Sequence, residues 1–174
     1  MRDAADRAAQ VVRLPREVER DPRHAMVLRA LTAETRRLWS EGDLEAPVVR
    51  LTPELRAALA TPTIRPVFVR GLEGAEATLA AEARGLAAAP GAAPEPRVSR
   101  VLLAANDGAE RLYRQLERLV RVHAPRLLVC LVDAPSEELG GAIFGPGASA
   151  KVALTAHKDA ATRVLLALAP SHTA

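Results

Sequence analysis

The chain has 174 residues, of which 49% are hydrophobic and 26% are charged, a composition that is ordinary for a folded globular protein. The formal net charge is only +3, with bases and acids mixed in both halves, so the sequence carries no basic block of the kind that grips a phosphate backbone. Aromatic residues make up 2%, too few for the stacking platforms that bind single-stranded nucleic acid. Nucleic-acid binding is therefore unsupported.

The sequence also argues against disulfide, metal and membrane proteins. Cys130 is the single cysteine and lies in an apolar run, so we interpret it as a buried hydrophobic residue and exclude an internal disulfide. The histidines are scattered without the spacing of metal ligands, and no dinucleotide fingerprint is present, so we predict no metal and no cofactor. No stretch approaches the roughly 20 apolar residues of a membrane span, and no signal peptide is recognisable, which predicts a cytoplasmic protein that does not bind membranes.

Residues 1–62 are predicted to form a helical N-terminal segment that packs on, or extends, the rest of the chain. After a short helix over 3–14, a second helix is predicted to begin at Asp21-Pro22, where an N-cap residue precedes proline at the first helical position. Its apolar face recurs at steps of three and four residues and stops before Gly42. The residues of that face are Ala25, Leu28, Leu31, Thr35, Leu38 and Trp39.

Two short elements complete this segment. Residues 48–51 are predicted to be an edge strand, and Thr52-Pro53 is a second start signal for a helix. Trp39 is the only tryptophan, and it is either a core residue or a contact for a protein partner. Because this helical third exceeds what a small sheet requires, we favour docking to another chain, either a different protein or further copies of this one.

Residues 63–174 are predicted to form an α/β domain. We expect a mainly parallel sheet of about four to five strands with flanking helices, in a Rossmann-like or flavodoxin-like order, as one folded unit with the N-terminal segment. The clearest part is 98–132, in which an apolar run, an amphipathic helix and a second apolar run predict a right-handed βαβ unit. Further strands are predicted at 67–69 and 151–155, whereas 134–150 has no readable pattern.

Polar residues follow the predicted strands, where open parallel sheets bind their ligands. If all strands are parallel, five candidates for catalysis meet at one edge, where opposed charges would position a phosphate-bearing substrate. They are Asp107, Asp133, Thr155, His157 and Lys158. Structural roles are the competing interpretation, since Asp107 suits the cap of the helix that follows it and Thr155 suits the cap of the last helix.

The residues Leu154-Thr155-Ala156-His157 resemble the strand-end segment of response-regulator receiver domains, in which a hydroxyl residue closes the fourth strand. The resemblance implies Asp133 as the phospho-acceptor, Asp107 as an accessory acid and Thr155 as the hydroxyl. The chain departs from that pattern, because no acidic pair directly follows the first strand and no fifth strand with its lysine follows Thr155. The match covers four residues, and we do not assign the chain to that family.

A glycine-rich turn precedes the last predicted strand. It lacks the order of a phosphate-binding loop, because Lys151 comes before a strand and no serine or threonine follows it. A backbone nest for an anion and an ordinary turn-rich loop are the two interpretations. The candidate residues for binding a small anionic ligand are Asn106, Gly108, Gly145, Gly147 and Lys151.

Two functions therefore stay open, and with them the question of whether the chain is an enzyme. The favoured one is a non-catalytic interaction, regulatory or assembly module that acts through protein–protein contacts. The alternative is a small α/β enzyme or receiver-like phospho-acceptor that binds an anionic ligand at the carboxyl ends of the strands. The alternative requires Asp133 to lie within about 12 Å of residues 155–158, because catalytic groups must reach one substrate.

Overall fold

The computed structural model describes residues 13–60, 67–89 and 96–170. These residues form an α/β structure in which a six-stranded sheet has helices on both faces. Its strands are β1 Thr35–Arg37, β2 Glu45–Val49, β3 Phe68–Arg70, β4 Arg100–Ala104, β5 Leu127–Val132 and β6 Val152–Thr155. Its helices are α1 Arg16–Arg20, α2 His24–Ala33, α3 Pro53–Leu59, α4 Leu72–Ala88, α5 Glu110–His123, α6 Ser136–Phe144 and α7 Lys158–Ala167.

The sheet has the order β1-β2-β5-β4-β6-β3. Strand β5 lies parallel to both β2 and β4, whereas β1, β6 and β3 are antiparallel to their neighbours. The predicted α/β class is confirmed. The mainly parallel sheet of four to five strands is not, because β6 runs against β4. Strand β6 begins beside the N-terminus of α6, where the N–H of Ala150 donates to the carbonyl of Ser136. The connection that leaves the carboxyl end of β5 therefore returns to the same end of the sheet before β6 begins.

The predicted βαβ unit is present as β4, α5 and β5. The two strands pair in parallel from Arg100 opposite Leu127 to Ala104 opposite Leu131. The apolar face predicted for α5 is buried, including Leu116 and Val120. This unit places the carboxyl ends of two adjacent parallel strands at one edge of the sheet.

The sheet separates two hydrophobic cores. Along β4, Val101 and Leu103 enter the core under α1, α2, α3, α6 and α7, whereas Leu102 and Ala104 enter the core under α4 and α5. Cys130 is buried in the first core, and burial raises the pKa of its thiol to about 12. The thiol therefore stays protonated at neutral pH. No helix in the described residues has the length and apolar character needed to cross a membrane.

The N-terminal part differs from the prediction. Helix α2 ends at Ala33, and Thr35 begins a strand that pairs with Pro47, so the predicted helix up to Gly42 is wrong. The edge strand expected at 48–51 is β2, which is an inner strand between β1 and β5. Most of the helix predicted over 3–14, and the predicted boundary between 62 and 63, lie outside the described residues.

Helix α6 occupies the segment that had no readable pattern. Its two central glycines have opposite surroundings. A Cβ at Gly140 would lie 2.5 Å from Ser149 Cα and 2.6 Å from Ala150 N, whereas a Cβ at Gly141 would meet nothing within 4 Å. The absence of a side chain at Gly140 thus lets the segment that leads into β6 pass directly against the helix.

Candidate functional site

The connections that leave β4 and β5 diverge to opposite faces of the sheet. The chain passes from β4 into α5 on one face and from β5 into α6 on the other. In open α/β sheets, ligands bind in the crevice that such a divergence creates outside the carboxyl ends of the strands. Asn106 and Asp133 stand on its two sides, and Asn106 Nδ2 donates to Asp133 Oδ1 at 3.4 Å. This crevice is the candidate site.

Asp107 closes one end of the crevice by capping α6. Its carboxylate accepts from Ser136 Oγ at 2.9 Å and from Ser136 N at 3.1 Å. These two hydrogen bonds hold the pKa of Asp107 below its usual value, and the bond from the Ser136 hydroxyl has the larger effect. The prediction that Asp107 caps α5 is wrong, because the residue at that N-cap is Ala109 and it makes no side-chain bond there.

The turn between β4 and α5 is held by a tyrosine instead. The Tyr113 hydroxyl donates to the carbonyl of Ala105 at 2.6 Å and accepts from Gly108 N at 2.9 Å. Burial raises the pKa of Tyr113, so the hydroxyl stays neutral. The backbone N–H of Gly108, expected to bind an anion, is thus already engaged.

The remaining candidates for anion binding are separated. Lys151 lies at the same edge as Asn106, and its Nζ donates to the carbonyl of Asp107 at 3.3 Å. Gly145 and Gly147 adopt positive φ angles of 101° and 84°. They follow the far end of α6, a helix of nine residues and hence about 13 Å long. The structure brings Lys151 to the crevice and leaves the two glycines outside it.

Thr155, His157 and Lys158 lie at the opposite end of the strands from the crevice, because β6 is antiparallel to β4. Thr155 Oγ1 accepts from Val101 N at 2.9 Å at the start of β4. Ala104 pairs with both Leu131 and Val152, so Asp133 and Thr155 are separated by about 16 Å along the strands at 3.3 Å per residue. The convergence of all five catalytic candidates, and with it the receiver-like arrangement, is therefore not formed.

His157 and Lys158 have structural partners as well. His157 Nδ1 accepts from Ala160 N at 3.2 Å and caps α7, the role that the sequence suggested for Thr155. Lys158 Nζ lies 3.9 Å from a carboxylate oxygen of Glu17.

A small cavity opens beside the crevice, on the face covered by α5. Its volume is about 130 Å³. We call it the switch-point cleft, and its lining residues are Arg36, Arg37, Leu38, Val48, Asn106, Tyr113, Leu131, Val132 and Asp133. Sequence reasoning missed the two arginines, because it placed residues 35–39 on a helix.

The exposed side of α5 carries a row of arginines, which we call the α5 arginine face. Arg111, Arg114, Arg118 and Arg121 recur at steps of three and four residues, and all four are exposed. The Arg114 guanidinium lies 5.6 Å from the ring centroid of Trp39. The spacing in the sequence was sufficient to find this row, since residues at such steps share one helix face.

A buried carboxylate next to the arginine face anchors α5. Glu117 is 5% exposed and accepts from Trp39 Nε1 and Leu44 N, both at 2.8 Å, and from Asp43 N at 3.0 Å. Burial by itself raises the pKa of Glu117, but these bonds and the nearby Arg121 outweigh it, and the pKa is lowered. Glu117 stays ionised and fixes the segment from Trp39 to Leu44 against the helix.

We expect Asp107→Ala to lower the free energy of unfolding by about 1 kcal/mol, because it removes the cap of α6. Urea denaturation measures this loss, and Asp133→Ala is the control, since an exposed side chain with one long bond contributes less than about 0.5 kcal/mol. The cap needs the carboxylate. Its contribution is therefore complete above the usual pKa of aspartate and is lost as pH falls through the lowered pKa of Asp107. Equal losses in the two variants would contradict the capping role.

No three histidine, cysteine, aspartate or glutamate residues lie close enough together to hold a metal ion, within the part of the chain that the structure describes. The described residues define an α/β protein whose candidate site consists of a crevice and a small cleft beside it, with a row of exposed arginines on α5. Comparison with models of known families, with curated proteins and with solved structures returned no match.

Proposed function

We propose that this chain is a non-catalytic interaction module that docks, through the α5 arginine face, onto an acidic surface of another protein. The observation that carries the proposal is the row of four exposed arginines on one well-anchored helix. The positions of the catalytic candidates support it too. Asp107 and His157 are helix caps, and Thr155 completes the pairing of two strands.

The α5 arginine face is organised before any partner binds. Glu117 and Tyr113, on the inner side of α5, hold the flanking segments in place, so a partner need not order them. Arg111 and Arg118 form no ion pair with any described residue, which leaves their guanidinium groups available to carboxylates in two-bond geometry. Val122 adjoins the row and is 74% exposed, which adds an apolar contact.

The features around the row favour an acidic protein over a nucleic acid. Glu110 and Asp43 stand beside it, 3.6 Å from Arg114 and 3.4 Å from Arg121 respectively. They interrupt the positive charge of the row, which suits the separate carboxylates of a protein better than a continuous phosphate backbone. Trp39 is half-buried beneath Arg114. In this proposal Trp39 lies at the rim of the docking surface and serves as the partner contact that the sequence suggested.

Charge reversal on two faces tests the proposal. Arg111→Glu with Arg118→Glu is expected to weaken binding to a poly-L-glutamate probe by about tenfold or more, because each reversal replaces an attraction with a repulsion. The matched control is Arg20→Glu with Arg29→Glu, two exposed arginines of α1 and α2 on the opposite face of the sheet. Fluorescence anisotropy at several salt concentrations measures both, and circular dichroism checks folding.

Two results would overturn the proposal. Equal weakening in both double variants would show that the probe senses only net charge. Tighter binding of a 20-base-pair DNA duplex than of poly-L-glutamate at the same salt concentration would indicate a nucleic-acid surface instead.

A further inference from the structure

The switch-point cleft combines an apolar base with polar walls. Leu38, Val48 and Leu131 supply the apolar part, and all three are buried. The polar part comes from both sides of the sheet's divergence point, with Asn106 after β4 and Asp133 after β5. Such a composition, apolar with a few placed polar groups, is typical of small-molecule sites.

The charged side chains of the cleft have no close ion-pair partner among the residues that the structure describes. Arg37 and Asp133 line the same cavity but do not pair with each other, and Arg37 has no ion pair with any residue that the structure describes. The Asp133 carboxylate has one long bond, from Asn106. Arg36 is held only loosely, 3.8 Å from Glu34. The cavity therefore has a cationic side and an anionic side, and each lacks a close partner.

The size of the cleft limits what it can hold. Its volume of about 130 Å³ is close to that of an engineered cavity of about 150 Å³ that binds benzene. A ligand that fits it has roughly six to eight non-hydrogen atoms. Larger cofactors and nucleotides exceed this size.

We infer that the switch-point cleft binds a small zwitterion, such as an α-amino acid with a short apolar side chain. Its carboxylate lies against Arg37 and Arg36, its ammonium group against Asp133, and its side chain on Leu38 and Val48. A simple anion would leave Asp133 facing a second negative charge, and a simple cation would leave Arg37 facing a second positive charge. This inference does not depend on the proposed docking function.

Titration with L-alanine, followed by amide chemical shifts, tests the inference. We expect shifts at Arg37, Leu38, Asn106 and Asp133, with a Kd between about 10 µM and 1 mM for so small a ligand. Arg37→Ala and Asp133→Asn are each expected to weaken binding by about tenfold or more. The controls with the same charge changes are Arg29→Ala and Asp159→Asn, which lie away from the cleft and should bind as the unaltered protein does.

Acetate and methylammonium serve as single-charge probes. If acetate binds as tightly as L-alanine, the inference that the ligand is a zwitterion is wrong. The inference is also wrong if about 10 mM L-alanine causes no shifts. Unchanged binding of L-alanine to both cleft variants would contradict it as well, provided that their well-dispersed spectra show that they are folded. The double variant Arg111→Glu with Arg118→Glu should bind L-alanine normally, which separates this inference from the docking proposal.

Discussion

Gly140→Ala is expected to lower the free energy of unfolding by about 3 kcal/mol. The new methyl group would lie 2.5 Å from Ser149 Cα and 2.6 Å from Ala150 N, and both are backbone atoms that no rotamer change can move aside. Relief requires α6 and the segment entering β6 to separate, which exposes apolar surface and costs as much as overpacking a core. Urea denaturation followed by circular dichroism measures the change.

The neighbouring glycine is the matched control. Gly141→Ala introduces the same methyl group one residue later in α6, where nothing lies within 4 Å. Because alanine favours the helix over glycine, this variant is expected to be more stable by about 0.5–1 kcal/mol. Changes of the same sign at both positions would contradict the close approach at Gly140.

Glu117→Ala is expected to lower the free energy of unfolding by about 3 kcal/mol. It removes the acceptor for Trp39 Nε1 and for the N–H groups of Asp43 and Leu44, and unsatisfied donors are costly when water does not reach them. Glu117→Gln keeps one acceptor oxygen and is expected to lose about half as much. Chemical denaturation monitored by Trp39 fluorescence reports both stability and the position of the ring.

The control for Glu117 is another glutamate of the same helix. Glu110 is exposed and lies 3.6 Å from Arg114, and Glu110→Ala is expected to change stability by less than about 0.5 kcal/mol. Since the pKa of Glu117 is lowered in the folded protein, its contribution is complete above the usual pKa of glutamate and is lost as pH falls through the lowered value. Glu117→Gln should therefore flatten the acid side of the stability profile.

The part of the fold that the sequence predicted well is the part where local and distant preferences agree. In residues 98–132, two continuous apolar runs suit strands covered on both faces, and the helix between them has one apolar side. The local pattern of each element therefore indicates the same structure that its neighbours in the fold require. The prediction of β4, α5 and β5, and of their parallel pairing, followed from this agreement.

Residues 35–39 show why the N-terminal part was misread. Leu38 and Trp39 continue the helical spacing of α2, but the indole N–H of Trp39 bonds to Glu117, 78 residues away in sequence. Thr35 to Arg37 then pair with β2. Contacts this distant leave no local signal, so Arg36 and Arg37 could not be assigned to a cleft from the sequence.

The direction of β6 was the second obstacle, and it decided the candidate site. An alternating or continuous apolar run has the same pattern whichever way the strand points. The sequence therefore placed Thr155 and Asp133 at one edge, and the structure places Lys151 there instead. The residues after β4 and β5 were found because their strands are the two whose direction the βαβ unit determines.

The arginines of β1 also bear on how the protein behaves at high concentration. Among the described strands, β1 is at the edge of the sheet, and its three residues are all exposed. Unpaired edges invite the same strand of another molecule to add on, and charged side chains oppose this. Two β1 strands brought side by side would crowd four guanidinium groups together, so growth of one sheet into the next is disfavoured at this edge.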